Sequence, residues 1–515
     1  MANILLIEPG YKNKYPPLGL MKIAQYHHSK RDAITFIKGE DPSAQTTLFE
    51  PKSWDRIYIT TLFSFEYQRI ARSIDYAISL VAGQRNRIFV GGIAASLMYE
   101  RFVNEPRWQG IRFIKGLLGE APSISLKLNR DELHGDDVTG QPIEDLVPDY
   151  SILDQIDYKY PVNNAYFTYA SRGCIRKCKF CGVPKLEGEQ RDTNSLTSVI
   201  QGISERYGEK RDLILMDNNV VASPRFKDII AEIIDLGFEH GSKLSLRQRR
   251  VDFNQGVDAR ILCKNAMFLR ELSRIAIKPL RIAFDHWGLS KPYSQAIRYA
   301  ASYGITNLSN YMLYNFYDTP SDLFNRMHLN VKLNEELNIQ IFSFPMRYQP
   351  VTRVDRGHIG KSWNRYYLRS MQVILQATHG VVSGNSNYFR FAFGNSTEEF
   401  KDILLRPHHF IFNRHWYEKY EGRAEYNAYL QSMSRLSSDE KNELLELLCT
   451  YSPTQYSQEF KSLSPGILRD TAYYFVPISK TEERSIWQKT KHYHNNQCLV
   501  PEDERVEDAG LTMEI

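Results

Sequence analysis

The strongest constraint on the fold of this chain is an alternation of short apolar segments with amphipathic ones over roughly its first 350 residues. Apolar runs such as ILLIE at 4–8 and RIFVGG at 87–92 are typical of buried strands, and EYQRIARSIDYAISLVAG at 66–83 has the spacing of a helix. Strands that alternate with helices form parallel sheets, because each crossover helix returns the chain to the same end of the sheet. We therefore expect an α/β protein with its ligand sites at the carboxyl ends of the strands.

The pattern predicts four segments. Residues 1–125 form a doubly wound, Rossmann-like α/β domain, and residues 126–164 form a connector with scattered Asp, Gly and Pro. Residues 165–352 resume the alternation and predict a partial or full (β/α) barrel. From residue 353 to 515 the alternation stops, which predicts a mainly helical C-terminal domain.

Composition narrows the cellular setting. The chain has 515 residues, a formal net charge of +5 and six cysteines, which is too sparse for a disulfide scaffold. Its start has an apolar run of only four residues, 4–7, with no basic lead-in, so we expect no signal peptide. No window approaches the roughly 18–20 apolar residues of a membrane span. These features predict a cytoplasmic protein with no membrane partner.

Three of the cysteines, Cys174, Cys178 and Cys181, lie within eight residues, in the loop after the first predicted barrel strand, AYFTYAS. Three thiolates can bind three irons of a cubane [4Fe–4S] cluster and leave the fourth iron open. An open metal position is typical of a catalytic site. A zinc site is one alternative and a chance cluster is the other. Zinc prefers four ligands, however, and the next candidates are the distant His240 and Cys263.

The spacing C-x3-C-x2-C, with the aromatic Phe180 before the third cysteine, resembles the radical S-adenosylmethionine (SAM) enzymes. The resemblance implies that the three cysteines ligate the cluster and that the amine and carboxylate of SAM chelate the open iron. It also implies that Phe180 lies near the adenine. The implied reaction is reductive cleavage of SAM to a 5′-deoxyadenosyl radical, with electrons from a small donor such as a flavodoxin or ferredoxin.

Polar residues follow the next predicted barrel strand. In the superfamily this loop often holds the SAM amino group, and the matching residues here are Asp217, Asn218 and Asn219. The usual Gly-Gly-Glu is absent, but Asp and Asn can accept hydrogen bonds from an ammonium group. The alternative is a loop in which Asp and Asn only form turns.

Two later strand ends carry further candidates. Gln255, Asp258 and Arg260 are candidates for the ribose hydroxyls and the SAM carboxylate, with a plain Asp–Arg salt bridge as the alternative. Asn315, near Tyr317 and Asp318, stands where many members have a glycine-rich strand end that meets the adenine. The glycines are missing here.

Residues 1–125 resemble the cobalamin-binding domains that precede the barrel in one large radical SAM class, through PPLGLMKIAQY, FVGGIAASL and LLGEAP. That family's Asp-x-His-x-x-Gly loop should follow the second strand, where FIKGEDPSAQTT has no histidine to ligate cobalt. Two alternatives stay open. Either cobalamin binds without a lower ligand, against residues 60–64 and 91–96, or the domain keeps only the fold. Residues 1–173 contain no cysteine, which excludes the second cluster of methylthiotransferases.

Residues 345–420 interleave basic and aromatic side chains, which suits single-stranded nucleic acid or a phosphorylated or carboxylated substrate. The alternative is a helical cap with solvated charges and buried rings. Three functions stay open. They are a radical SAM enzyme that performs cobalamin-dependent methyl transfer, one that performs rearrangement, oxidation or cyclisation without cobalamin, and a non-enzymatic iron–sulfur protein that binds nucleic acid. The substrate, whether a small molecule, a peptide or a nucleic acid, is not specified by the sequence.

Overall fold

The computed structural model describes residues 1–45, 52–118, 143–193, 195–378, 380–382 and 384–497, with backbone only after 490. The chain forms two compact units. The first comprises Met1–Ala283, Arg298–Ile305 and Gln349–His358, and the second comprises Phe284–Ile297, Thr306–Tyr348 and Ile359–Ile515. The boundaries at 125, 164 and 352 stay predictions. Residues 126–142 of the predicted connector and 119–122 of the LLGEAP segment lie outside the described residues.

The first unit begins with the predicted doubly wound parallel sheet. Its strands are β1 (Asn3–Glu8), β2 (Ala33–Lys38), β3 (Arg56–Thr61), β4 (Ile88–Gly92) and β5 (Arg112–Phe113). They pair in the order β2-β1-β3-β4-β5, and every neighbouring pair is parallel. The helices of this part are Leu18–Ser29, Tyr67–Ser79, Ile93–Leu97 and Tyr99–Val103. This strand order reverses direction between β1 and β3, where such sheets bind their ligands.

Burial explains why these segments adopt their structures. Residues 4–7 of β1 are fully buried, as expected for a strand with helices on both faces of its sheet. The helix Tyr67–Ser79 turns Ile70, Ile74 and Ala77 towards the core, at the spacing of one helical face. Within the part of the chain that the structure describes, no helix combines the length and apolarity that crossing a bilayer requires.

A second parallel sheet follows in the same unit. Its strands are β6 (Ala165–Thr168), β9 (Asp212–Leu215) and β12 (Arg250–Phe253), in the order β12-β9-β6. Two short antiparallel ribbons accompany it: β7 (Ser171–Arg172) with β8 (Arg191–Asp192), and β10 (Lys243–Leu244) with β11 (Arg247–Gln248). Its helices are Val183–Leu186, Leu196–Tyr207, Phe226–Asp235, Ala259–Leu262 and Met267–Leu272, and β13 is Leu280–Arg281.

The second unit contains the parallel pair β14 (Asn307–Tyr314) and β15 (Gln340–Arg347), joined by the helix Pro320–Leu337. The helix Ser290–Ser302 has residues in both units. The described strands belong to separate sheets and do not close a barrel, so the expectation of a full barrel is not met among them.

The described C-terminal residues are mainly helical, as predicted. The helices are Arg365–Ala377, Ser386–Phe393, Thr397–Leu404, His408–Phe412, Arg414–Lys419, Arg423–Arg435, Ser438–Thr450, Tyr456–Lys461, Ile467–Ala472 and Lys480–Gln497. Their core is strongly aromatic and includes Tyr366, Phe410, Tyr417 and Phe460. Many of the rings in this region therefore stabilise the fold, which was the alternative to a nucleic-acid surface.

Candidate functional site

The three clustered cysteines lie in one closed loop, residues 173–190, which we call the cysteine loop. It begins after β6, at the carboxyl end of a parallel strand, as the sequence predicts. The β7–β8 ribbon joins its two ends, and the backbone N–H of Cys174 donates to the carbonyl oxygen of Gly188 at 3.3 Å. The ends of the loop are therefore fixed by backbone hydrogen bonds.

Gly173 allows this closure. Its φ of +75° lies in the left-handed region, and a Cβ at this position would lie 2.2 Å from the carbonyl oxygen of Glu189. Gly188, at the other end of the loop, also has a positive φ (+74°), but a Cβ there would meet nothing within 4 Å. Only Gly173 is thus required by both conformation and space.

Asp217 anchors the start of the cysteine loop. Its Oδ1 accepts the backbone N–H of Ser171 at 2.6 Å and the Ser171 hydroxyl at 2.7 Å, and its Oδ2 accepts the N–H of Ala170 at 2.9 Å. Burial raises the pKa of the Asp217 carboxyl to about 6, although these hydrogen bonds act in the opposite direction. These bonds occupy three of the roughly four acceptor positions of the carboxylate, so Asp217 serves mainly to hold the backbone of residues 170 and 171.

Glu187 holds the other end of the cysteine loop. Its Oε2 accepts the N–H of Gly173 and the Nδ2–H of Asn218, both at 2.8 Å, and its Oε1 pairs with Arg172 at 3.1 Å. The sequence interpretation missed this residue. The sequence signal that could have identified it is opposite charge on the two sides of the cysteines. Arg172 precedes them, and Glu187 is the first acidic residue after them. Asn218, a predicted site residue, is thereby fixed beside the cysteine loop.

A charged group ties the cysteine loop to the segment after β12. The Nε–H of Arg176 donates to Oδ2 of Asp258 at 2.7 Å, and the Nε–H of Arg260 donates to Oδ1 at 2.8 Å. The N–H of Asp258 donates to Oδ1 of Asn219 at 3.3 Å. Burial would raise the pKa of Asp258, but the hydrogen bonds from Arg260 and Arg176 outweigh it and lower that pKa. Gln255 is exposed in the turn after β12.

The cysteines present the chemistry expected of cluster ligands. All three are half-buried and none forms a disulfide. The N–H of Arg176 donates to Sγ of Cys174, and the N–H of Val183 donates to Sγ of Cys181, both at 3.4 Å. No three His, Cys, Asp or Glu side chains of the described residues converge as ligands of a single ion. A cubane does not require such convergence, since each thiolate binds its own iron, and the donor set fits one.

The cysteine loop also contacts the N-terminal sheet. A Cβ placed on Gly182 would lie 3.1 Å from Cδ1 of Leu97, and the helix Val183–Leu186 lies against the helix Ile93–Leu97. That second helix follows directly on the carboxyl end of β4. The half-buried Phe180 belongs to the same loop. Within the first unit, the cysteine loop therefore packs against the helix that follows the carboxyl end of β4.

The residues predicted to contact cobalamin already bind other protein groups. The hydroxyl of Thr61 donates to the carbonyl oxygen of Gly91 at 2.8 Å and accepts the N–H of Ala95 at 2.9 Å. The hydroxyl of Ser96 donates to the carbonyl oxygen of Gly92 at 2.8 Å. These small polar side chains do not fit the role of open contacts for the corrin.

A buried ion pair lies just before the loop in which the sequence has no cobalt-binding histidine. Lys38, at the end of β2, forms a buried ion pair with Glu8, the last residue of β1, at 2.7 Å. Asn13 donates to the other carboxylate oxygen at 2.7 Å, and Tyr160 also bonds to Glu8. The Lys38 ammonium lies 4.5 Å from the ring centroid of Tyr158. The carboxyl ends of β1 and β2 thus hold a buried ion pair whose charges neutralise each other.

Asn315 belongs to the second unit, whereas the other predicted site residues belong to the first. It is fully buried with a φ of +69°. Its Oδ1 accepts the N–H of Gly360 at 2.7 Å, and its Nδ2–H donates to the carbonyl oxygen of Tyr348 at 3.2 Å. Nearby, Asp318 pairs with the buried Arg326 at 3.2 Å. Asn315 therefore fixes the turn after β14.

No family model matches this chain, and no curated protein matches it either. Solved structures similar to it include two of the radical S-adenosylmethionine methyltransferase TsrM from Kitasatospora setae. The one with tryptophan substrate and the SAM analogue aza-SAM is 14% identical, covers 68% of this chain and 75% of that chain, and gives a TM-score of 0.47. The one with cobalamin and a [4Fe–4S] cluster is 14% identical, covers 68% and 77%, and gives 0.45. Because both TM-scores lie below 0.5, the function proposed below rests on this chain's own residues.

Proposed function

We propose that this chain is a radical SAM enzyme that holds a [4Fe–4S] cluster on Cys174, Cys178 and Cys181. The observation that carries the proposal is the placement of three half-buried thiols in one closed loop at the carboxyl end of a parallel sheet. When bound through three thiolates, such a cluster supplies the electron that cleaves SAM to methionine and a 5′-deoxyadenosyl radical.

The residues of the cysteine loop supply hydrogen bonds to the sulfurs. Backbone N–H groups donate to the Sγ atoms of Cys174 and Cys181. Arg176, between two of the cysteines in sequence, pairs with Asp258 and so ties the loop to the segment after β12. Asp217 and Glu187 hold the ends of the loop, so the sulfurs are presented from a fixed backbone.

Two polar side chains beside the cysteine loop are our candidates to orient SAM. The amide oxygen of Asn218 suits an ammonium group, and Glu187 holds that amide in place. The guanidinium of Arg260 suits a carboxylate, and Asp258 holds it. Asp217, Asn219 and Asp258 then act as supports, while Phe180 stays the proposed neighbour of the adenine. This division of roles extends the sequence prediction, which treated all of these residues as direct contacts.

Anaerobic reconstitution tests the proposal. The full chain should bind about four irons and four sulfides and should cleave SAM to 5′-deoxyadenosine with dithionite, for which a flavodoxin or ferredoxin would substitute in the cell. Cys178→Ala should abolish both properties. Cys263→Ala, which alters a cysteine outside the loop, should retain them. Undiminished SAM cleavage by Cys178→Ala would contradict the assignment. Tight RNA binding by the wild-type chain without SAM cleavage would favour the nucleic-acid alternative.

Cobalamin-dependent methyl transfer is the second candidate function. It is favoured by the packing of the cysteine loop against the helix at the carboxyl end of β4. The internal hydrogen bonds of Thr61 and Ser96 count against it. Hydroxocobalamin that co-elutes with the protein, seen by its visible absorption, would select this function. Elution of hydroxocobalamin separately from the protein would favour radical chemistry without cobalamin.

A further inference from the structure

A buried cation in the second unit has no counter-ion among the described residues. Arg414 is 5% exposed, and its guanidinium carbon lies 5.1 Å from the ring centroid of Phe391. In the described part of the chain it makes neither an ion pair nor a side-chain hydrogen bond. Arg406, close by in sequence, differs, because its guanidinium pairs with Glu418 at 2.8 Å. Burying an unpaired charge is strongly unfavourable, so Arg414 calls for an anion.

The residue before Arg414 is also buried without partners. Asn413 is fully buried, and neither its amide oxygen nor its amide nitrogen meets a hydrogen-bond partner in the described structure. The hydroxyl of Ser370 and Nε2 of His408, in other helices of the same unit, are buried without partners as well. Orphaned groups of this kind are rare in native proteins and point to a missing ligand or water.

The positive charge of Arg414 is not balanced by the charged groups that act on it. The charged groups that act on Arg414 are Glu418, which is already paired, and Arg406, with the Tyr388 phenol as a further neighbour. The ammonium of Lys419 lies 4.8 Å from the centroid of the same Phe391 ring. An anion would therefore be attracted here.

We propose that Arg414 and Asn413 form the centre of a binding site for a small carboxylate or phosphate ligand. The guanidinium supplies forked donors that match either anion. The amide of Asn413 offers both a donor and an acceptor to polar groups of the ligand, and Phe391 supplies an apolar face beside the guanidinium. The site stands on residues of the second unit alone and does not depend on the proposed reaction.

Thermal unfolding and calorimetric titration of the full chain test the site, with inorganic phosphate in one arm and acetate in the other. Sodium chloride at equal ionic strength is the reference. At about 100 times the dissociation constant, the matching anion should raise the Tm of the full chain by about 2–3 °C. Arg414→Met should weaken binding at least tenfold. Without ligand it should unfold at the same or a higher temperature than the wild type, because it removes an unpaired buried charge.

Arg435→Met is the matched control. It removes an exposed arginine at the end of the helix Arg423–Arg435, and it should keep both the Tm and the response to the anion. Arg414→Lys keeps the charge but lacks the forked guanidinium donors, and it should also bind the anion at least tenfold more weakly. It serves as the test variant if Arg414→Met does not fold. A response to phosphate alone assigns a phosphate ligand, and a response to acetate alone assigns a carboxylate. No response in either arm, or an equal response in wild type and Arg414 variants, would overturn the site.

Discussion

The hydroxyl of Tyr15 donates a hydrogen bond to Oδ1 of Asn254, with 2.7 Å between the two atoms. Tyr15 follows β1 of the N-terminal sheet, and Asn254 follows β12 of the second sheet. The ring of Tyr15 also packs edge-on against Phe167 of β6, at 6.0 Å between centroids. The carboxyl ends of two parallel sheets in the first unit thus meet through side chains. A ligand bound at either edge would lie close to both sheets.

Tyr15→Phe should weaken this junction without opening it. The variant loses one hydrogen bond but keeps the ring contact, so the free energy of unfolding should fall by about 1 kcal/mol. Chemical denaturation of the full chain measures the change. Tyr303→Phe, which alters a more exposed tyrosine, should be nearly neutral. An equal effect of the two substitutions would contradict the importance of the bond to Asn254.

Gly173→Ala should disrupt the cysteine loop far more than Gly188→Ala. Both positions have a positive φ, which costs an alanine about 1–2 kcal/mol. Only at Gly173 would the new Cβ clash with backbone, at Glu189, so that variant should lose about 3 kcal/mol or more. Iron bound per chain after reconstitution should fall only for Gly173→Ala. Equal iron content in the two variants would show that the backbone at Glu189 moves away from the new Cβ without affecting iron binding.

Glu187→Gln should loosen the same loop at its other end. The amide nitrogen of glutamine would face donors from Gly173, Asn218 or Arg172, which should lower the free energy of unfolding by about 2 kcal/mol. Iron incorporation should fall with it. Glu189→Gln is the control, since that side chain is 89% exposed and its pair with Lys177 is 3.9 Å long. Full iron loading of Glu187→Gln would contradict a role in holding the loop.

Asp217 gives a pH dependence with a defined sign. Its folded pKa of about 6 is above the ordinary value of an aspartate. Between pH 4 and 6, therefore, the folded protein binds more protons at this group than the unfolded chain does. The stability contributed through this shift is fully present below about pH 4 and is lost as pH rises through about 6.

Asp217→Asn cannot take up that proton. The Tm of the wild type minus the Tm of Asp217→Asn should therefore be larger at pH 4.5 than at pH 7.5. Scans of the two apo proteins in matched buffers supply the comparison. A difference that grows with pH would mean that the hydrogen bonds from Ala170 and Ser171 outweigh burial and lower the pKa instead.

Much of the sheet structure was predictable because buried parallel strands are nearly continuous apolar runs. The runs at 4–7 and 213–215 became β1 and β9 for this reason. The β7–β8 ribbon was not predictable, since Ser171–Arg172 and Arg191–Asp192 are polar and only two residues long. The helical segment after β4 is likewise divided into two short helices, Ile93–Leu97 and Tyr99–Val103, separated at Met98. The local hydrophobic pattern of the sequence identifies the buried strands. It does not identify two-residue strands and short helices whose limits depend on tertiary hydrogen bonds.

The same distinction explains the site. The positions of Asp217 and Asp258 at strand ends were visible in the sequence, because polar residues follow apolar runs there. Their partners were not visible, because Ser171 and Arg176 lie 46 and 82 residues away. The roles proposed for Asp217 and Glu187 as supports of the cysteine loop therefore required the tertiary structure.

The closure of the cysteine loop has a consequence for how the protein matures. Asp217 and Glu187 fix the loop through bonds that involve protein atoms only, so its shape is acquired on folding and before any iron arrives. The half-buried thiols remain within reach of solvent. Loading of the proposed cluster would then be an insertion into a prepared template, with the entropy of ordering the ligand backbone lost during folding rather than during metal capture. Under this proposal, protein whose cluster has been removed by oxygen should keep the shape of the loop and accept a new cluster without refolding.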